Sequence, residues 1–210
     1  MSPFRPDLVD VWIFRTEEAG LLTVAGLVPG PIGGRQGPDG AGGAGATAPG
    51  IQVAAPETQL AAPGTSVEIL MLRRSPSKVV LPGLWQCVSG SLEEGESIAA
   101  GALRELQEET GFGAAEIEAF FDLDQVNQFH EPSVGAIVSS AVFAVRVRAD
   151  AQPELSHEHD AMRWVPPAEA LELAIWPAYG ESIRRIQQNL LDAGRAIWFE
   201  LTLGGQRARQ

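Results

Sequence analysis

An α/β domain, a sheet covered by helices, is the fold class the sequence predicts. Strand-like runs alternate with helical ones along the chain, as such domains require. One helix is marked at both ends, by a capping serine and a stopping glycine. The 210 residues are 45% hydrophobic and 20% charged, enough for one well-buried core but not comfortably for two. A single domain over residues 1–210 is therefore expected.

Taken in order, Val9 to Phe14 and Val67 to Leu72 both read as strands. Between them, residues 26–66 hold 11 of the 23 glycines, 6 of the 15 prolines and three charged side chains. Glycine maximises the entropy lost on ordering and proline removes backbone donors, so this stretch reads as a flexible Gly/Pro/Ala-rich insert inside the domain. After Arg73 and Arg74, prolines 76 and 82 and Gly83 punctuate the chain. A short strand at Trp85 to Val88 then closes in a turn at Ser89-Gly90. Ser97 can cap a helix from Ile98 to Thr110, with Ile98, Ala99, Ala102, Leu103 and Leu106 as its buried stripe and Gly111 as its left-handed stop. Strands follow at Glu116 to Phe121 and Val138 to Val147. One helix runs from Pro166-Pro167 to about Ala174, and another spans Glu181 to Leu191 with Ile183, Ile186 and Leu190 facing inward. A last strand is expected at Trp198 to Leu203.

Fifteen basic and 27 acidic residues give a net charge of −12, which repels nucleic acid and anionic membrane surfaces. Neither is expected as a partner. A phosphorylated small molecule would meet the same field, so its site must import positive charge, most simply as a divalent cation. No stretch reaches the roughly eighteen apolar residues a spanning helix needs, and Met1 to Asp10 does not read as a signal peptide. A cytoplasmic protein is the expectation. The single cysteine, Cys87, rules out an intrachain disulfide and reads as a small buried hydrophobe.

The informative segment is Gly90 to Phe112, with six glutamates and one arginine, Arg104. Glu105, Glu108 and Glu109 stand at i, i+3 and i+4, three carboxylates on one helix face. Like charges at this spacing destabilise a helix, and in the last turn they also oppose its macrodipole. A hard cation such as magnesium resolves both conflicts, because it takes oxygen ligands from protein, water and phosphate.

The spacing Gly90, five residues, Glu96, seven residues, Arg104-Glu105-Leu106-Gln107-Glu108-Glu109-Thr110-Gly111-Phe112 resembles the Nudix box at every fixed position. At about one in fifteen per fixed residue, such a match arises by chance about once in 10⁸ starts. The resemblance implies a Nudix-type α/β/α sandwich with a mixed sheet and metal-dependent hydrolysis of a nucleoside diphosphate linked to another group. It implies Glu105, Glu108 and Glu109 as metal ligands with the carbonyl of Gly90, Mg2+ as cofactor with Mn2+ as substitute, and Glu96–Arg104 as a structural ion pair. Glu105 and Arg104 are the catalytic candidates on the helix.

Trp85 to Glu96, with Glu158 to Val165 downstream, is similar to the dihydroneopterin triphosphate pyrophosphohydrolase branch of the family. By that match Glu158 is a further metal ligand or the general base, presented from a loop opposite the helix; a solvated loop glutamate is the alternative. His157 and His159 read as solvated or as phosphate contacts. Arg73 or Arg74 could contact a phosphate or form a surface ion pair, Phe129 is a stacking candidate, and Trp85 reads as core. The implied reaction cleaves a nucleoside or pterin triphosphate and releases pyrophosphate. Dinucleoside polyphosphates, ADP-ribose and nucleotide sugars are alternatives, as is a non-catalytic ligand-sensing module, against which the complete set of box carboxylates speaks. The oligomeric state stays open, a homodimer included.

Overall fold

In the computed structural model, which describes residues 6–18, 65–132 and 135–208, the first strand explains the architecture. β1 (Leu8–Glu18) turns Val9, Val11 and Ile13 to one face and Trp12 and Phe14 to the other, all buried. A strand buried on both faces needs cover on both, which is why its sequence is a near-continuous apolar run. β1 pairs antiparallel with β2 (Thr65–Arg74) and β4 (Val88–Ser91) and parallel with β6 (Ala136–Val147). The eight-stranded mixed sheet runs β3 (Trp85–Gln86), β2, β1, β6, β5 (Ile117–Glu131), β8 (Glu200–Leu201), with β4 on β1 and β7 (His159–Val165) on β2.

One face packs α1 (Ile98–Thr110) through Ala102 and Leu106 against Val9, Val11, Leu70, Leu72 and Val145. The other packs α2 (Pro167–Leu173), α3 (Pro177–Arg185) and the π-helical turn Ile186–Leu190 against Trp12, Phe14, Ile69, Met71 and Val142. The result is the expected α/β/α sandwich with a mixed sheet. Among the described residues no helix is long and apolar enough to cross a membrane.

α1 has the bounds its sequence signals set. Ser97 accepts from the Ala100 N–H at 3.2 Å, and Gly111 takes the left-handed conformation at φ 73°. Elsewhere the structure corrects the sequence reading. The run at Trp85 is two short strands interrupted at Cys87, and Ser89-Gly90 is no turn: it lies in β4, opposite Asp10 and Val9. β5 runs to Glu131 rather than stopping at Phe121, so Phe129 sits on a strand. Backbone pairing with β6 carries that extension across a bulge at Asp122 to Gln125, where side-chain alternation gives no signal. α3 starts earlier than expected, at Pro177, the last strand shrinks to two residues, and β7 is a strand the sequence left unassigned. The insert expected at 26–66 lies outside the described residues except for Thr65 and Ser66, which open β2.

Leu106, fully buried between α1 and the sheet, is expected to cost about 2–5 kcal/mol on replacement by alanine. Ser97→Ala should cost only about 1 kcal/mol through loss of the cap. Urea denaturation of both variants checks the order.

Candidate metal centre and active site

The site is built on the last two turns of α1. Glu109 faces inward with its side chain 5% exposed, Glu105 is largely covered, and Glu108 stands outward at 58%. Beneath them passes β4, where a Cβ on Gly90 would lie 1.9 Å from the Glu105 Cδ. With a side chain at this position the Glu105 carboxylate would have to move aside, and the glycine leaves the backbone open to a close-lying ion. The neighbouring Ser89 N–H donates to the Glu109 carboxylate.

Arg104 organises the other carboxylates. Its guanidinium donates to Glu96 at 3.0 Å, to Glu105 at 2.8 Å, to Glu108 at 3.1 Å and to the Ser91 carbonyl at 2.9 Å. A planar fork with five donors can tie loop, strand and helix at once, which a lysine could not. The structure brings Glu96 and Arg104 together in an ion pair at 3.0 Å.

The fourth carboxylate arrives through the backbone. Glu154 and Ser156 donate their N–H groups to the Thr110 and Glu109 carbonyls at 2.8 and 3.1 Å, satisfying C-terminal acceptors of α1. That run places Glu158 beside the helix end, in an ion pair of 2.6 Å with Lys78. His159 follows it as the first residue of β7, buried, with Nε2 3.7 Å from Glu109 Oε2. The expectation that both histidines are solvated or phosphate contacts is therefore corrected for His159, which is buried where the pairing of β7 with β2 shifts register, whereas His157 is exposed.

Burial and like charge set the titration here. Burial first, then Glu105 and Glu158, push the Glu109 carboxyl up to about 8. Burial also raises Glu105 and lowers His159 to about 4, so the imidazole is neutral at pH 7. Glu158 is held below the usual range, chiefly by its hydrogen bond to Lys78.

Among the described residues no three His, Cys, Asp or Glu side chains are already drawn together around a cation position. The donors nevertheless fit a hard cation. Glu109 Oε2 is buried with no hydrogen-bond partner, its neighbours are oxygen donors of the same sign, and a divalent charge would remove the repulsion that raises its pKa. Glu105 and Glu108 are turned to Arg104 and Glu158 to Lys78, so these pairs would loosen on loading.

The remaining candidates separate. Arg73 and Arg74 part: Arg73 forms a forked pair with Asp160 at 2.8 and 2.9 Å, while Arg74 Nε donates to the Val80 carbonyl at 2.9 Å and its charge slightly favours the ionised Glu109 and Glu158. Trp85 is partly buried against the core, with Arg73 and Arg163 over its ring. Phe129 stays partly exposed on β5. Sequence reasoning missed Lys78, whose signal was its being the only lysine in the chain. A cleft of about 550 Å³ between Ile98, Val126, Phe143 and Leu201 lies at the opposite end of α1 and touches none of these carboxylates.

Comparison with known proteins meets this geometry directly: the NUDIX domain family matches residues 59–186. The chain belongs to the Nudix family. Nudix hydrolase 25 of Arabidopsis thaliana is 33% identical over 57% of this chain and 81% of its own length. The CTP pyrophosphohydrolase of Escherichia coli is 31% identical over 52% and 75%. An octanoyltransferase of Myxococcus xanthus is 39% identical, but the chain spans only 31% of that protein. Among solved structures, a Nudix hydrolase of Listeria monocytogenes shares the fold at TM-score 0.53 and 19% identity, over 89% of this chain and 94% of its own. The E. coli dihydroneopterin triphosphate pyrophosphohydrolase aligns at TM-score 0.50 and 25% identity, over 58% and 85%.

In this Nudix domain the raised Glu109 has a measurable consequence. Its folded-state pKa, about 8 against an ordinary 4.5, means that the neutral form favours folding. That contribution is complete below pH 4.5 and is lost as pH rises through about 8. In chelator, Glu109→Gln should therefore gain thermal stability over the parent increasingly from pH 5 to pH 8, and magnesium should stabilise the parent alone. Melting curves across this range, with and without magnesium, check both signs.

Proposed function

We propose that this Nudix domain is a divalent-cation-dependent pyrophosphohydrolase of nucleoside or pterin triphosphates, releasing pyrophosphate and the monophosphate. The observation that carries the reading is the buried, unpartnered Glu109 oxygen among three further carboxylates at one helix end. Triphosphates are favoured over other pyrophosphates by the likeness to the CTP and dihydroneopterin triphosphate pyrophosphohydrolases. The same reading takes residues 1–210 as one domain, with the insert carried between β1 and β2.

Glu105, Glu108, Glu109, Glu158 and the Gly90 carbonyl are the residues that would hold Mg2+, or Mn2+ in its place. When bound, the cation supplies charge stabilisation at phosphorus and a more acidic attacking water. Arg104 holds Glu105 and Glu108 in place and ties them to Glu96 and the Ser91 carbonyl. Glu158 would serve either as a further cation ligand or, once parted from Lys78, as the base that takes the proton of the attacking water. Arg74 offsets negative charge beside Glu109 and Glu158, and Phe129 offers an aromatic face to a ring head group.

The test is a panel of cytidine triphosphate, dihydroneopterin triphosphate, deoxynucleoside triphosphates, diadenosine tetraphosphate and ADP-ribose, compared by kcat/KM with products resolved. A triphosphate should lead, with pyrophosphate as product. Preference for diadenosine tetraphosphate or ADP-ribose, or release of inorganic phosphate, overturns the substrate reading; inactivity on all of them favours ligand sensing. With the leading substrate, Glu105→Gln and Glu109→Gln should abolish turnover in proteins that still fold. Glu158→Gln should lower kcat about a hundredfold or more.

A further inference from the structure

Glu158 already has a cationic partner, and that partner is unusual. Lys78 Nζ lies 2.6 Å from Glu158 Oε2, with both side chains largely covered. It is the chain's only lysine, set in the connection between Arg74 and Trp85. The connection that carries it is closed at its base by the Arg74–Leu84 and Gly83–Arg74 backbone bonds, each 2.9 Å. It is docked on the site by Ser75 N–H to the Glu158 carbonyl at 2.8 Å. Beyond Lys78 the side chains of the tip are exposed, Val79 at 97% and Val80 and Leu81 beside it, while Arg74 Nε donates to the Val80 carbonyl at 2.9 Å. The apolar side chains of the tip are thus unpacked, while its base stays tied to Arg74 and to the Glu158 carbonyl.

Two charges compete for Glu158. A divalent cation and the Lys78 ammonium both need its lone pairs, and in a crowd of four carboxylates the ammonium partly supplies the missing positive charge. Once a cation takes Glu158, Lys78 is left within reach of the site on a flexible stem, in a chain of net charge −12 that otherwise repels phosphate.

We propose that Lys78 is a polyphosphate-binding residue stored on Glu158: cation binding releases it, and it then pairs with a phosphate of the incoming triphosphate. This rests on the reading of Glu158 as a cation ligand. Cation and substrate consequently bind cooperatively through an exchange of partners, each favouring the state in which the Lys78–Glu158 pair is open.

The experiment measures binding to the full chain by calorimetry: Mn2+ alone, then a non-hydrolysable α,β-methylene nucleoside triphosphate with Mn2+ saturating. Lys78→Gln is expected to bind Mn2+ about fivefold tighter, because no ammonium competes, and the analogue about tenfold more weakly. Lys78→Arg should restore the analogue affinity. In turnover, Lys78→Gln should raise KM by more than it lowers kcat. Mn2+ and analogue affinities within about twofold of the parent in Lys78→Gln overturn the proposal, as does Mn2+ binding weakened by that change. A Glu158→Gln variant separates the two layers. If it leaves Mn2+ affinity unchanged, the assignment of Glu158 itself falls, and the exchange with it; if it weakens Mn2+ binding while Lys78→Gln changes nothing, only the role of Lys78 falls.

Discussion

Like charge confined at low dielectric is the constraint from which the rest of this site follows. Glu105, Glu108 and Glu109 occupy one turn of α1 at the end where the helix dipole is already negative, and Glu158 is brought up against them. Isolated, such a turn would be among the weakest in the protein. Its surroundings are compensations. Arg104 spans three of the glutamates of the segment, Gly90 gives up its side chain so that the Glu105 carboxylate fits, and Ser89 turns a backbone N–H to Glu109. Lys78 and Arg74 bring positive charge from the β2–β3 side. What these groups leave uncompensated is the buried Glu109 oxygen, and a divalent cation is the species whose charge and ligand preference match it.

The scaffold divides the site into a fixed half and a movable half. The helical glutamates stand on an element packed through Ala102 and Leu106 into the core, and Gly90 lies in a strand paired with the central β1. These positions are set by the same contacts that fold the domain. Glu158 and Lys78 come instead from connections, held by a few backbone hydrogen bonds and by each other. The helical carboxylates and Gly90 thus sit on regular elements, and the Glu158–Lys78 pair sits on connections. The two faces of the sheet divide labour in a similar way: α1 covers one with the acidic turn, and α2 and α3 cover the other with aromatic and aliphatic packing.

The errors of the sequence reading fall where backbone pairing, not side-chain pattern, decides. β5 continues for ten residues past Phe121 because β6 is alongside to pair with it, although its second half is polar and exposed. β4 holds Ser89 and Gly90 in a ladder with Asp10 and Val9, where the dipeptide by itself signals a turn. His159 is polar and follows a polar run, yet the register of β7 against β2 turns it into the core beside Glu109.

The sequence by itself determined α1 and its caps, β1 as a strand, the family, and the helix turn on which three glutamates meet. All of these depend on interactions between residues close in the chain: caps, periodicities and fixed spacings within about one to four helical turns. Tertiary structure alone decided how distant groups reach that face and what they pair with; the family resemblance names Glu158 but neither its route nor its partner. Glu158 arrives from some fifty residues downstream because residues 154 and 156 satisfy the carbonyls at the end of α1. Lys78 arrives because β2 and β3 close their connection beside it. Arg73 and Arg74, adjacent and identical in the sequence, part company because a strand sends neighbours to opposite faces, one to Asp160 and one to the Val80 carbonyl. No local pattern encodes these meetings, since each is fixed by the register of strands that pair across the whole length of the domain.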